Sequence, residues 1–347
     1  MSRNINIKAW LNTLSLQCRT LPIVILYVTE GCNLRCMMCS YREVLSHELS
    51  LDEIQDLGNA LKHYGLRHIV YSGGEPLLRR DFPEICSVFK SLNVKQTLLT
   101  NGLLLTKRFP EIKDYCSEII VSLDGADAKT HNTIRGVDSF DQILKGIQLV
   151  TEFPSQCRIS IRTVLQKNNF YQLLDMVELA KKLRVDRISF LSADVLSNGF
   201  GRDTRGAMVT ADRITLNEEE TVEFRKLVET MVLKYRDEFR TGFISDPPEK
   251  LFHIVQYYEA LIGKAPFPRN YCNALMVSAV ITASGAIQPC FFLPKFGNVR
   301  NTTLKDLVNN SQICSTRRDV KDYTLERCQT CVCTLHVNPI AALLNKF

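Results

Sequence analysis

The 347-residue chain contains no apolar run long enough to cross a bilayer. It also lacks a segment with the apolar core and small-residue cleavage site of a secretory signal. Both absences lead us to expect a cytoplasmic protein whose cysteines stay reduced. No internal repeat or low-complexity tract is present, which excludes a solenoid. Lys and Arg number 43 against 37 Asp and Glu, so the formal charge is only +6. No Lys/Arg block concentrates it, so there is no case for a nucleic-acid partner and no firm one for a membrane. Apolar residues make up 45% and charged residues 23%, the balance of an ordinary globular protein.

Acidic residues are missing from the first 29 positions, where Ile7, Trp10, Leu11 and Leu14 fall at helical spacing. A transit peptide or an interfacial helix has this texture. The preferred expectation is a short helix, residues 1–21, packed on the outside of the domain that follows, because a patterned core starts at once at Leu21.

From residue 22 to 195 apolar runs alternate with helical patterns. "PIVILYV" reads as a strand covered on both faces. "SLDEIQDLGNALKHYG" reads as a helix with Ser50 as N-cap, Glu53 three residues on, and Gly65 past its end. Strand-like runs recur as "HIVYS", "KQTLLT", "EIIVSLD", "CRISIRTVL" and "DRISFLS", separated by helical patterns that include 80–92, 139–151 and 169–184. Six β/α units predict a parallel sheet with helices outside it, a partial (β/α)6 TIM-like barrel open along one side. Residues 196–269 read as a loop (196–216) and two helices, at about 217–239 and 248–263. A small α+β domain is expected from 270 to 347, with short strands in "MVSAVIT" and "AIQPCFF" and a helix near 303–313.

Thirteen cysteines are many for this length. Cys18, Cys86, Cys116, Cys157 and Cys314 are isolated and read as small buried apolar side chains. The others cluster. Cys32, Cys36 and Cys39 follow the first strand, at the carboxyl end where barrels place chemistry. A structural zinc site wants four ligands, and the nearest histidine, His47, lies in an apparent loop. Three thiolates on a [4Fe–4S] cluster would instead leave one iron open to a ligand. After the second strand comes "YSGGEP", where Gly73 and Gly74 allow close backbone approach and Glu75 offers a carboxylate to an ammonium. A tight turn ahead of Pro76 is the plainer reading of that stretch.

C-x3-C-x2-C and GGE, in register on successive strands, resemble the radical S-adenosylmethionine (SAM) superfamily. The resemblance implies that the methionine amino and carboxylate groups of SAM chelate the open iron. An electron then cleaves the sulfonium C–S bond, giving methionine and a 5′-deoxyadenosyl radical that abstracts hydrogen from a substrate. The family often has an aromatic residue before the third cysteine; Met38 stands there and is counted with the cofactor contacts. In relatives the GGE motif binds the methionine amino group, which implies that role for Gly73, Gly74 and Glu75. Thr100-Asn101-Gly102 and Ser122-Leu123-Asp124-Gly125 end the third and fourth strands, where relatives line the cofactor or substrate. Ser122 and Arg162 are the favoured cofactor contacts, Arg162 as a guanidinium for the methionine carboxylate. Asp124 reads as a turn residue or a contact.

Near the end, Cys272 and Cys290 form C-x12-G-x4-C around Gly285, and Cys328 and Cys331 form C-x2-C. On spacing alone four thiolates could hold zinc. The arrangement resembles the C-terminal SPASM/twitch extension of radical SAM enzymes. That implies one auxiliary [4Fe–4S] cluster on Cys272, Cys290, Cys328 and Cys331, with Cys333 competing with Cys331 for the fourth position. The expectation is the shorter twitch type. Two clusters, at about −1 and −2, would lower the +6 to about +3.

The resemblance implies an oxidoreductase that dehydrogenates a small polar metabolite, the auxiliary cluster taking the second electron and a flavodoxin or ferredoxin supplying the first. The alternative is modification of a ribosomal peptide, although about 21 residues ahead of the barrel would not fold a leader-binding domain. A non-catalytic electron-transfer protein is the distant third, against which the open cluster and GGE speak. Tyr27, Asp194, Arg187 and His253 are polar candidates for a cavity, with no general base assignable among them.

Overall fold

The computed structural model describes residues 2–154, 156–202, 211–333 and 335, with side chains from residue 8 onward. Ile7's side chain, residues 203–210 of the expected loop, and 336–347 of the expected last domain lie outside that description.

Six strands run parallel in strict chain order: β1 (Ile23–Thr29), β2 (His68–Gly73), β3 (Lys95–Thr100), β4 (Glu118–Ser122), β5 (Arg158–Leu165) and β6 (Arg187–Ser192). Between them lie α2 (Leu51–His63), α3 (Phe82–Ser91), α4 (Leu105–Ile112), α5 (Ala128–Arg135) with α6 (Phe140–Glu152), and α7 (Leu173–Lys182) after β5. Right-handed crossovers between strands always laid down in the same direction put every helix on one face. The sheet therefore curls as part of a barrel and does not close. Leu26, Tyr71, Leu98, Ile119, Ile161 and Phe190 are fully buried on the helix side. The register places Tyr27, Ser72, Ser122, Arg162 and Ser189 on the opposite, concave face.

Local signals set several elements. Ser50 and Glu53 form both halves of the capping box of α2, and Gly65 follows its end at φ +90°. The short helices α4 and α5 escaped the sequence pattern. Pro110 sits inside the first, which is only eight residues long, and the second is largely polar.

The two helices expected after the 196–216 loop complete the outer layer. Helices α8 (Glu218–Lys234) and α10 (Pro248–Leu261), with α9 (Arg236–Thr241) between them, pack on each other, on α7 and on β6. The stretch Phe243–Asp246 covers the open edge of β6: Ile188 N–H donates to Phe243 O, and Phe190 N–H to the Asp246 carboxylate.

Past residue 270 the sheet continues. After α11 (Ala274–Val277), β7 (Ser278–Ile281) pairs in parallel with β1, and β8 (Ala286–Gln288) and β9 (Gly297–Asn298) follow antiparallel. Ladder hydrogen bonds thus cross the boundary expected near 265–270. The helix expected near 303–313 is two, α12 (Leu304–Leu307) and α13 (Ser311–Lys321), the second N-capped by Asn310. A last short helix, α14 (Glu326–Gln329), carries Cys328.

The amino-terminal helix α1 (Ser2–Leu14) does not lie against the barrel's helix layer, as the sequence suggested. It docks on the carboxyl-terminal region. Buried Asn12 donates to Thr20 O at 2.7 Å and Met276 O at 2.8 Å, and accepts from Arg19 N–H. Arg317 and Asn309 bond Leu16 O and Cys18 from the other side. Asn12→Ala would remove three hydrogen bonds to backbone groups at once. We expect a loss of about 2–4 kcal/mol in unfolding free energy, read as a shifted urea midpoint with an unchanged slope.

Candidate functional site

The loop after β1 carries Cys32, Cys36 and Cys39 and is closed at its base by one carboxylate. Glu48 accepts from the Thr29 hydroxyl and from the N–H groups of Glu30 and Leu45. Arg42 reaches across the loop, its guanidinium donating to Cys36 O at 3.2 Å and Cys39 O at 2.7 Å. The end of α5 braces the outer side: Arg35 N–H donates to Arg135 O, and Met37 N–H to Ile134 O. Gly136 caps α5 at φ +71°, and a Cβ there would stand 2.4 Å from Arg35 O.

Each thiol of the loop has a polar neighbour. Asn101 Nδ2 lies 3.9 Å from Cys32 Sγ, Arg135 Nη1 3.8 Å from Cys36 Sγ, and Phe200 O 3.6 Å from Cys39 Sγ. Arg135 is in turn ion-paired at 2.6 Å to Asp124, which is fully buried and also accepts from Val164 N–H. Asp124 is therefore a support for the cation beside Cys36 as well as a turn residue. Burial pushes the Cys39 thiol up to about 11 and raises Cys32. Such thiols keep their protons at neutral pH until a metal displaces them.

The GGE corner is built more tightly than its sequence suggested. A Cβ on Gly74 would come within 2.1 Å of Gly31 O, and one on Gly73, at φ +115°, within 2.2 Å of Thr29 O. Both glycines are thus required by the approach of β2 to β1. Glu75 is completely buried and accepts from Thr100 Oγ1 at 2.8 Å, Asn101 N at 2.7 Å and Leu77 N at 3.0 Å. Its carboxylate ties the ends of β2 and β3 together, and through Asn101 it sets the group beside Cys32. Met38 packs against Ala193, Val195 and Ile214.

Ser122 and Arg162 are neighbours in the β4–β5 register on the concave face. Arg162 Nε donates to Ser189 Oγ at 3.2 Å, and among the described residues no carboxylate pairs with the guanidinium. Arg187 and His253 are exposed, the former at the amino end of β6, and the structure does not bring them to the site. His47 is exposed as well. Tyr27 is buried, with its hydroxyl pushed up by burial and by neighbouring Tyr41.

Cys272, Cys290, Cys328, Cys331 and Cys333 all line one cavity of about 80 Å³, walled by Ile25, Leu275, Phe291, Phe292 and Tyr323. That volume is several times the ~10–15 Å³ one water needs. Gly285, at φ +81°, turns the β7–β8 hairpin that separates the first two cysteines. Cys331 Sγ accepts from Cys333 N–H at 3.4 Å, so both late candidates are present at the rim. Burial pushes Cys290 up to about 12 and Cys328 to about 11. Among the described residues no three His, Cys, Asp or Glu side chains converge on a point fit for a single ion. Soft thiols spread around an apolar hollow suit a cluster, whose irons are ligated one by one. None of the thirteen cysteines is in a disulfide.

Aromatic rings span the distance between the two sets of thiols. Tyr41 packs edge-on against Tyr27 at 5.8 Å, and Tyr27 stacks on Phe291 at 6.2 Å. Phe200, whose carbonyl faces Cys39, stacks on Phe291 at 6.3 Å. Sequence reading missed Arg42, Arg135, Phe200 and Phe291; of these, Arg135 and Phe200 reach the cysteines only in the folded chain. The one available signal was the aromatic pair directly after Cys290.

Comparison with known proteins agrees with this geometry. The profile of the Radical SAM superfamily matches residues 26–180, and that of SPASM, an iron–sulfur cluster-binding domain, matches 272–332. Among curated proteins, a GTP 3′,8-cyclase of Mannheimia succiniciproducens is 28% identical over 81% of each chain. An AdoMet-dependent heme synthase of Methanosarcina barkeri is 29% identical over 85% of this chain and 84% of its own. Streptococcus suis SuiB bound to precursor peptide SuiA superposes with a TM-score of 0.63 at 18% identity, over 91% of this chain and 72% of that one. At that identity the likeness is one of fold.

Glu75 also links the site to pH. Burial raises it to about 7 from 4.5, against the downward pull of its three donors. The native state then keeps a proton that the unfolded chain has released, so stability falls as pH rises from about 4.5 through 7. Glu75→Gln removes this contribution, up to about 3 kcal/mol. The melting temperature of wild type should drop more than that of the variant between pH 5 and pH 7.5.

Proposed function

The chain belongs to the radical SAM superfamily and carries a SPASM-type domain; from that premise we propose that it oxidises a small polar metabolite in the cytoplasm. Its cofactors are S-adenosylmethionine and [4Fe–4S] clusters. When bound, they supply reductive cleavage of SAM to a hydrogen-abstracting radical and an acceptor for an electron of the substrate. The observation that carries the reading is the aromatic path from Tyr41 through Tyr27 to Phe291, which leads from the first thiol loop to the second thiol cavity. Oxidation needs a route by which an electron leaves the substrate for a second centre.

In this reading Cys32, Cys36 and Cys39 hold the cluster that meets SAM. Asn101 and Arg135 hold positions beside two of those thiols. Gly73, Gly74 and Glu75 form the corner that takes the methionine ammonium, Glu75 acting also through the strand ends it joins. Ser122 and Arg162 take the carboxylate, for which a guanidinium with no carboxylate partner among the described residues is suited. Met38 closes the loop against Ala193 and Val195. Cys272, Cys290, Cys328 and Cys331 hold the auxiliary cluster. A flavodoxin or ferredoxin supplies the first electron. Relatives named for GTP and heme chemistry, alike over four-fifths of their length, support a small-molecule substrate over a ribosomal peptide.

Reconstituted anaerobically, the protein should hold ~8 irons per chain, four in each cubane. Replacing Cys32, Cys36 and Cys39 by Ala should leave ~4 irons and abolish 5′-deoxyadenosine formation. Replacing Cys272, Cys290, Cys328 and Cys331 should also leave ~4, with SAM cleavage surviving and product formation lost. Zinc at the second site after anaerobic purification would sink the electron-acceptor role and leave the first site standing.

The fourth ligand is a separate matter. Cys333→Ala should keep the auxiliary cluster's iron and absorbance, whereas Cys331→Ala should lose them. The reverse ranking moves the ligand two residues on.

A further inference from the structure

Asp194, just past β6, is the centre of a buried ion cluster that touches both thiol sites. Its carboxylate pairs with Arg202 and, at 2.5 Å, with Arg327, and it accepts from the Ser197 hydroxyl. Side-chain exposure is 1% for Asp194, 2% for Arg202 and 16% for Arg327. Arg327 is the residue before Cys328, and its guanidinium lies 5.1 Å from the ring of Phe292, a wall of the thiol cavity. Its Nε is buried and has no hydrogen-bond acceptor among the described residues. Arg202 donates to Gly199 O at 3.0 Å, in the turn whose next residue, Phe200, accepts from Ser40 N–H and faces Cys39.

Two guanidiniums share one carboxylate, so the cluster holds one positive charge in excess. Among the described residues no other carboxylate meets Arg202 or Arg327, and nearby Lys250 is neutralised by Asp246 at 2.6 Å. A buried net charge is costly unless an opposite charge lies close. The groups beside Arg327 able to supply one are the thiols of the cavity.

We propose that Arg327 is the built-in counter-charge of the auxiliary cluster, and that Asp194 is a positioning residue that holds it there and tempers its charge. A fixed positive charge favours the reduced, more negative state of a cluster and so raises its potential. The same carboxylate, through Arg202, ties that setting to the loop against Cys39. The inference rests on the reading that the second cavity holds a [4Fe–4S] cluster.

The test is an anaerobic redox titration, followed by the paramagnetic resonance of the reduced cluster. It uses the full-length chain with Cys32, Cys36 and Cys39 replaced by Ala, so that only the auxiliary cluster is seen. If this background holds no cluster, the reading of the site fails before the inference is reached. With the cluster present, Arg327→Gln should lower the reduced-to-oxidised ratio at fixed potential at least tenfold, 59 mV for a one-electron couple. Arg327→Lys, which keeps the charge, should stay within twofold. Asp194→Asn, which adds a net positive charge, should move the ratio the opposite way, by threefold or more. A merely structural role would shift Gln and Asn alike, and that result overturns the proposal. So does an Arg327→Gln cluster that titrates within twofold of the background. Should Arg327→Gln fail to assemble a cluster, the other two variants decide, and a raised ratio in Asp194→Asn together with an unmoved Arg327→Lys is required.

Discussion

Strand β1 is hydrogen-bonded on both edges, to β2 on one side and to β7 on the other, and both thiol sites hang from that arrangement. Its carboxyl end feeds the loop of Cys32, Cys36 and Cys39. Its partner β7 opens the hairpin around which Cys272 and Cys290 are set. Four residues of β1, Ile23 to Leu26, pair with both neighbours, so neither site can slide without breaking a ladder. A one-residue slip would also send Tyr27 from the concave face into the helix-covered core. The stack of Tyr27 on Phe291 depends on that register.

Buried carboxylates repeat this logic at each strand end. Glu75 gathers donors from Leu77, Thr100 and Asn101; Asp124 holds Arg135; Asp194 holds Arg202 and Arg327. Each lies at or just beyond the carboxyl end of a strand and steadies a polar group that stands beside a cysteine. Burying such charges is expensive, and in all three cases several short hydrogen bonds or an ion pair offset part of that expense. The result is a rim whose hydrogen-bond donors are fixed before any cofactor arrives. Preorganisation of this kind is what a site needs if its ligands are to be met without rearrangement.

The proteins this chain resembles are named for quite different chemistry, among them a nucleotide cyclase, a heme synthase and a peptide-binding protein. In this chain the ion cluster and the aromatic rings meet around the cavity, at 194–202, at Phe291 and Phe292, and at α14. Fold-level likeness does not choose a substrate, because substrates are read by such peripheral side chains.

Much of this was legible in the residues themselves. Alternating apolar runs and capped helical patterns specify six β/α units, since burial on one face and local capping are short-range effects read along the chain. The cysteine spacings and the Gly-Gly-Glu corner mark the site for the same reason, each lying within a few residues. The sequence pattern left β7 unassigned to the barrel sheet, and α1 assigned to the wrong surface. It also could not show that Glu75 faces inward, or that Arg135, Phe200 and Arg327 reach the thiols. Most of those are contacts between residues 25 to 301 positions apart, set by which strand edges pair and which buried charges find partners. No local propensity encodes them, so only the packed tertiary structure decides them.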